Sequence, residues 1–170
     1  KYINAEKYKN ISADLNYLSA LSYLDNNKNK IAVKHFKEAL KQKPNHIPAS
    51  IKLTDVMLGI GSKTKSINYL EKTFLLTSNP DVLDQLSTKW GLKTSGSRVS
   101  KAISLLNKSS LDKIKDNLKI EIACYAIKEE IWGEAEKLLS AILEENLTQK
   151  GYQAFADIAG SQNKPDKVKD

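Results

Sequence analysis

The sequence predicts an all-α fold built from stacked antiparallel helix pairs, and three observations lead to this prediction. Residue types recur with a period of 34 positions, apolar residues within each repeat follow helical spacing, and turn-forming residues separate the two halves of a repeat. The chain has 170 residues, of which 41% are hydrophobic, so it is long enough to bury a core. Length, composition and periodicity therefore agree on a helical repeat domain.

The repeat becomes visible when one stretch is aligned with the stretch 34 residues further on: Asn27, Ala32, Phe36 and Ala39 match Gly61, Ser66, Leu70 and Thr73. The small residue that opens each second helix recurs at Ala32, Ser66, Ala102 and Ala135. A period of about 34 residues is typical of tetratricopeptide repeats. The predicted architecture is therefore a tetratricopeptide-like right-handed superhelix of about four helix pairs and a partial fifth.

Each predicted unit contains a first helix and a second helix. First helices are expected at 12–25, 47–59, 81–90, 117–130 and 148–161. The second helices carry apolar residues on one face, namely Ala32, Phe36, Ala39 and Leu40; Ile67, Leu70 and Phe74; Val99, Ala102, Ile103 and Leu106; Ala135, Leu138, Leu139 and Ile142. The units together form a single domain, 1–170, with boundaries at about 12–44, 45–80, 81–110, 111–147 and a partial unit at 148–170.

Turn residues mark the connections between these helices. Asn27, Gly61 and Asn163 stand between paired helices, where a left-handed backbone favours Gly or Asn. Pro44 and Pro80 follow second helices and close their units, because proline cannot continue a helix interior. These positions agree with the 34-residue period.

The third unit departs from the regular pattern. Residues 91–98 contain two glycines, two serines and a threonine, which predicts a longer loop and a short first helix before it. Trp90 and Trp132 are expected to end the third and fourth first helices and to fill gaps in the core.

Charge is unevenly distributed along the chain. The net charge of +7 arises almost entirely from lysine, since Arg98 is the one arginine. Residues 1–110 carry 18 basic and 8 acidic side chains, whereas residues 111–147 carry 5 basic and 9 acidic ones. A cluster of lysines at positions 28 to 43 could attract acidic proteins, anionic lipids or nucleic acid, but solvation alone also explains it.

Catalytic and metal-binding patterns are weak in this sequence. Cys124 is the single cysteine, so it has no partner for a disulfide and no second thiol for a zinc site. His35 and His46 lack the spacing of paired metal ligands. The turn 59–64 superficially resembles a phosphate loop, but it follows a helix and lacks the required Gly-Lys-Thr ending. We therefore expect no enzyme activity, no cofactor and no metal.

A concave groove lined by first helices is the expected binding surface of such an array. Counting groove positions from the start of each first helix selects nine candidate residues: Tyr17, Leu21, Leu24, Ile51, Asp55, Leu58, Ile120, Cys124 and Ile127. This lining is mainly apolar and lacks the Lys and Asn set with which chaperone-binding repeats hold a terminal carboxylate. It suits an amphipathic helix or an extended apolar segment of a partner protein.

Four stretches, read in order along the chain, resemble one particular family. They are 39–49 with its Lys-Pro step, Asn79-Pro80-Asp81, the turn 95–98 followed by Ala102, and Trp132-Gly133-Glu134-Ala135. The family is the C-terminal repeat region of the bacterial HemY-type, membrane-anchored proteins associated with haem and porphyrin metabolism. The resemblance implies a membrane anchor in an N-terminal segment that this sequence lacks, a repeat domain on the cytoplasmic side of the inner membrane, and no catalysis.

The sequence thus predicts a protein-protein interaction scaffold, and the resemblance suggests enzymes of haem biosynthesis as its partners. Two alternatives stay open: a generic tetratricopeptide adaptor in envelope or secretion assembly, and a direct binder of haem or porphyrin. Nucleic-acid binding rests on charge alone and ranks last. The unpaired first helix of the partial fifth unit would expose apolar surface, which makes a homodimer a further expectation.

Overall fold

The computed structural model describes residues 4–109 and 112–162, and these residues form helices with short connections. The helices are α1 Ala5–Asp25, α2 Asn29–Gln42, α3 Ile47–Gly59, α4 Lys63–Thr77, α5 Pro80–Trp90, α6 Ser95–Leu106, α7 Asp112–Lys128, α8 Trp132–Ser140 and α9 Gln149–Gln162, with a 3-10 turn at Glu144–Asn146. No β-strand occurs within the described residues. The predicted fold class, all-α with tetratricopeptide-like helix pairs, is confirmed.

The chain divides into two compact units, unit 1 (Lys1–Thr77) and unit 2 (Ser78–Asp170). In unit 1, α1 packs on α2, α2 on α3, and α3 on α4. In unit 2, α5 packs on α6, α7 contacts both α6 and α8, and α9 packs on α7 and α8. Because the paired helices are joined by connections of a few residues, neighbours within a pair run antiparallel.

The turn between paired helices has the same hydrogen-bond pattern in three of the pairs. The residues Asn27, Gly61 and Glu130 have φ values of 57°, 81° and 61°, in the left-handed region. In each case the amide of the following residue donates to a carbonyl five residues earlier; the Lys28 amide, for example, donates to the Tyr23 carbonyl at 2.8 Å. This is the Schellman arrangement, which satisfies the last carbonyls of a helix. Asn27 and Gly61 therefore occupy the turns predicted for them, and Asn163 lies outside the described residues.

The loop predicted at 91–98 is shorter than expected. Gly91 closes α5 with a φ of 73°, and α6 already begins at Ser95. The Thr94 hydroxyl accepts a hydrogen bond from the Ser97 amide at 3.2 Å and so caps α6. Residues 95–98 are consequently the first helical turn and not a loop, although the preceding helix, α5, is as short as predicted at 11 residues.

Three helix ends differ from the sequence prediction. Helix α1 begins at Ala5 and not at residue 12, because the Asn4 side chain caps it by accepting from the Glu6 amide at 3.0 Å. Helix α7 begins at Asp112 and not at residue 117. Trp132 opens α8 and does not close the helix before it.

Small and large apolar residues alternate in the core of unit 1. Buried alanines from α1, α2 and α3 let these helices approach closely, and Phe36, Leu53 and Met57 fill the space between them. In unit 2 the fully buried large side chains include Leu86, Leu105 and Leu118. None of the helices in the described parts of the chain is long and apolar enough to cross a membrane.

Candidate partner-binding surfaces

Three of the nine predicted groove residues, Tyr17, Leu21 and Leu24, lie on α1 and are half-buried. All three pack against the apolar core of unit 1. The Tyr17 ring lies 6.0 Å from the ring of Phe36 and 5.1 Å from the ring of His46, measured between centroids. These residues therefore stabilise the helix packing, and each leaves part of its side chain accessible to a partner.

His46 connects two repeats within unit 1. Its Nδ1 atom accepts a hydrogen bond from the Ala49 amide at 3.1 Å, so the ring caps α3. The hydrogen atom of the neutral ring then resides on Nε2, which lies 3.1 Å from the Asp14 carboxylate of α1. His46 thus has a structural role, and it fixes α3 relative to the Tyr17 side of α1.

Three further candidates lie on α3. Ile51 and Leu58 are half-buried, whereas Asp55 is exposed. Of the six candidates in unit 1, five are apolar and half-buried, and Asp55 is the charged one.

Helix α1 also carries an apolar stripe on its opposite side. Tyr8, Ile11, Leu15 and Leu18 recur at alternating spacings of three and four residues, and Leu15 is 60% exposed. Because α1 is apolar on two faces, its inner face cannot be identified from periodicity alone. Sequence reasoning missed this stripe.

The last three candidates lie on α7 in unit 2. Cys124 and Ile127 are half-buried. Ile120 is only 2% exposed, and its side chain lies 3.5 Å from where a Cβ atom on Gly151 of α9 would stand. Ile120 therefore belongs to the core of unit 2, and its predicted place in an accessible groove is not compatible with this burial.

Cys124 lines a cavity of about 350 Å³, including its open mouth, between first helices of unit 2, which we term the thiol cleft. The cleft is lined by residues of α5, α7 and α9: Pro80, Leu83, Asp84, Glu121, Cys124, Tyr125, Lys128 and Lys150. Leu83 and Tyr125 are buried and give the cleft an apolar wall. The helices that line it are all first helices, as the repeat pattern predicts for a binding surface.

Two ion pairs border the thiol cleft. Lys128 of α7 lies 2.8 Å from the Asp84 carboxylate of α5, and Lys150 of α9 pairs with Glu121 of α7. The hydrogen bond to Asp84 raises the pKa of Lys128. Each charged group of the cleft therefore has a counter-charge beside it, which favours a ligand with little net charge.

The thiol of Cys124 is a weak nucleophile in this setting. Burial raises its pKa, and the nearby Lys150 ammonium opposes that effect only in part. A raised pKa leaves the thiol protonated near neutral pH, whereas catalytic cysteines need the thiolate. Cys124 therefore lacks the thiolate character of a catalytic cysteine.

A polar network, which we term the Arg98–Glu129 clasp, supports the thiol cleft from one side. Two guanidinium nitrogens of Arg98 donate to the two carboxylate oxygens of Glu129. The same guanidinium donates to the Leu92 carbonyl at 3.3 Å, and the Tyr125 hydroxyl donates to Glu129 at 2.9 Å. The clasp thus links the loop after α5, the start of α6 and the end of α7. It lowers the pKa of Glu129 to about 2, chiefly through the hydrogen bonds from Arg98.

The sequence prediction included Cys124 but not the charged residues around it. Glu121, Cys124 and Lys128 follow each other at helical spacing on α7, so their common face could have been recognised. Their partners Asp84 and Lys150 lie in other helices, which no local pattern reveals. Among the described residues, no group of three or more His, Cys, Asp or Glu side chains is arranged to hold a metal ion.

Comparison with known proteins adds little to this description. No family model matches the sequence, and no curated protein matches it. Two solved structures of MamA are similar to this chain. The first, a MamA RS-1 ArsTM double mutant, is 16% identical, and the match covers 89% of this chain and 78% of that chain with a TM-score of 0.41. The second, a crystal structure of MamA protein, is 12% identical, and the match covers 93% of this chain and 98% of that chain with a TM-score of 0.44. Likenesses at this level assign no family and no function. The resemblance to the HemY-type family rests on the four quoted stretches alone.

Proposed function

We propose that this chain is a protein-binding scaffold, and that its first-helix surfaces, the thiol cleft in particular, hold segments of partner proteins. The observation that carries the proposal is the thiol cleft itself: an apolar-walled cavity of first helices whose charged residues are paired with one another. Such a cavity favours an apolar or uncharged segment, and it contains no activated nucleophile. We therefore also propose that the chain catalyses no reaction.

Site-specific photo-crosslinking in cells tests this proposal. A photoreactive amino acid replaces Cys124 in the full-length protein, and in a control it replaces Leu143, which is exposed and outside the cleft. We expect discrete protein adducts from position 124 that position 143 does not give. Asp84→Lys, which places two lysines side by side in the cleft, should reduce those adducts while the helical circular dichroism is kept. Equal adducts at the two positions, or none at position 124, would contradict the proposal.

The identity of the crosslinked proteins tests the narrower hypothesis. The resemblance to the HemY-type family supports partners among haem-biosynthesis enzymes and attachment to the bacterial inner membrane through an N-terminal segment. Haem-pathway enzymes among the adducts would support that assignment, whereas envelope or secretion proteins would favour the generic adaptor. If the absorbance of haem did not change on titration with the protein, the hypothesis of direct haem binding would be excluded.

A further inference from the structure

A second cavity lies in unit 1, between the second helices α2 and α4. We term it the basic groove. Its volume is about 720 Å³ including its open mouth, and it is lined by Lys37, Leu40, Lys41, Pro44, Tyr69, Lys72, Thr73 and Leu76. None of these residues belongs to the nine predicted groove positions. The basic groove is therefore separate from the first-helix surfaces described above.

The floor and the rim of the basic groove differ in chemistry. Leu40, Tyr69 and Leu76 supply an apolar floor, and Leu76 is exposed although it is a large apolar residue. Three lysines stand around this floor, and no carboxylate is among the lining residues. An apolar floor with a rim of one sign of charge is a surface for an amphipathic ligand of the opposite charge.

Two of the three lysines make contacts that indicate where their charges lie. The Lys37 ammonium lies 5.9 Å from the centroid of the Tyr69 ring, a cation–π distance that holds it over the floor. The Lys41 ammonium lies 3.7 Å from the Glu38 carboxylate on the same helix, which neutralises it in part. Lys37 and Lys72, on opposite helices, are thus the main positive groups facing a ligand.

The net charge of unit 1 also favours an acidic ligand. Residues 1–77 contain 13 lysines and 6 acidic residues, whereas residues 78–170 contain 14 basic and 14 acidic residues. The whole net charge of +7 therefore belongs to unit 1. Its field attracts acidic ligands to the basic groove over a distance of about one Debye length.

We propose that the basic groove binds an acidic segment of a partner protein, one or two of whose large apolar side chains enter the groove while its carboxylates contact Lys37 and Lys72. The concave shape favours a peptide, because a lipid surface is flat and is better contacted by protruding side chains. A nucleic acid is disfavoured because residues 1–77 contain no arginine, the residue that contacts phosphate through two parallel hydrogen bonds. This site rests on observations independent of the thiol cleft.

Fluorescence anisotropy with a synthetic probe tests the proposal on the full chain. The probe is an amphipathic peptide of about four helical turns with leucines along one face and glutamates beside them. Two control peptides replace the glutamates by glutamines or the leucines by alanines. We expect saturable binding of the acidic peptide, and at least about tenfold weaker binding of each control.

A matched pair of charge-reversed variants locates the site. Lys37→Glu with Lys72→Glu changes the groove, whereas Lys28→Glu with Lys52→Glu changes the net charge equally at exposed positions outside it. The groove pair should weaken binding of the acidic peptide by about tenfold or more, and the control pair should weaken it by less than about threefold. Leu76→Asp, at an exposed position, should weaken it while leaving the circular dichroism unchanged.

Several results would overturn the assignment. Equal losses in the two charge-reversed pairs would show that the lysines act only through net charge. Equal affinity for the glutamine peptide, or no saturable binding of the acidic peptide, would remove the groove as a site for acidic segments. If phosphatidylglycerol vesicles or single-stranded RNA bound more tightly than the acidic peptide, and if the groove pair weakened that binding by the same factor, the groove would be assigned to that ligand instead.

Discussion

The Arg98–Glu129 clasp makes unit 2 sensitive to the charge of a single carboxylate. Glu129→Gln keeps the size of the side chain but removes its charge, so the guanidinium loses its ionic partner while its bonds to backbone carbonyls persist. The pKa of Glu129 falls from 4.5 to about 2 in the folded chain. Each pKa unit corresponds to about 1.4 kcal/mol of stabilisation, and solvent screening at this partly exposed site reduces the total. We therefore expect Glu129→Gln to lower the unfolding free energy of unit 2 by about 1 to 2 kcal/mol at pH 7.

The sign of the pH dependence follows from the direction of the shift. Because the folded pKa of Glu129 lies below the unfolded one, the carboxylate stabilises unit 2 fully above about pH 4.5. This contribution is lost as the pH falls from about 4.5 toward about 2, where the folded form also takes up the proton. The difference between wild type and Glu129→Gln should therefore shrink over that range.

Urea unfolding followed by tryptophan fluorescence measures this difference in the right part of the chain. Trp90 and Trp132 are the two tryptophans, and both lie in unit 2. Glu130→Gln is the matched control, because Glu130 is the neighbouring residue, is exposed and undergoes the same change of charge. An unchanged urea midpoint for Glu129→Gln at pH 7, or a deficit of the same size at pH 3, would refute the reasoning.

Four further predictions concern packing, turns and the thiol. Phe36→Ala should destabilise unit 1 by about 3 to 5 kcal/mol, because the ring is fully buried, whereas Leu15→Ala on the exposed stripe should change the unfolding free energy by less than about 0.5 kcal/mol, both measured by urea unfolding followed by circular dichroism. His46→Ala should cost about 1 to 2 kcal/mol in the same assay, because it removes the cap of α3 and the link to α1. Glu130→Gly should raise the unfolding free energy of unit 2 by up to about 1 kcal/mol, because glycine adopts the left-handed φ of 61° without strain; a loss of stability would contradict this. Alkylation of Cys124 by a maleimide at pH 8 should be slower than that of a free thiol, because burial raises its pKa; an equal rate would show that the thiol is fully open.

The fold could be predicted from the sequence because its main signals are local. Apolar spacing identified the second helices, and the turn chemistry of Asn27 and Gly61 located the breaks between paired helices. Glu130 adopts the same left-handed turn, but glutamate has no preference for that conformation, so its role could not be predicted. The 34-residue period identified the pairs even where such a turn signal was absent.

The candidate surfaces were predicted less completely because they depend on contacts between helices. Counting along a first helix selected Cys124, which lines the thiol cleft, but also Ile120, which α9 covers. Whether a helix position is open or covered depends on the neighbouring helix, and the sequence gives no register for that neighbour. The ion pair between Asp84 and Lys128 joins residues 44 positions apart and was missed for the same reason.

The two cavities differ in how their charges are balanced, and this decides what each can bind. Around the thiol cleft the two ion pairs each join a lysine to a carboxylate of another helix, so these lysines already have a counter-charge. A charged partner gains less from a lysine that already has a carboxylate beside it than from a lysine without one. Around the basic groove Lys37 and Lys72 stand beside a floor that holds no carboxylate, whereas Lys41 is partly neutralised by Glu38, so an acidic segment meets positive charge mainly at Lys37 and Lys72. Because exposed charges are screened by salt, binding in the basic groove should weaken steeply as ionic strength rises, whereas binding in the thiol cleft should change little. Salt dependence therefore distinguishes the two surfaces even before a natural partner of either is known.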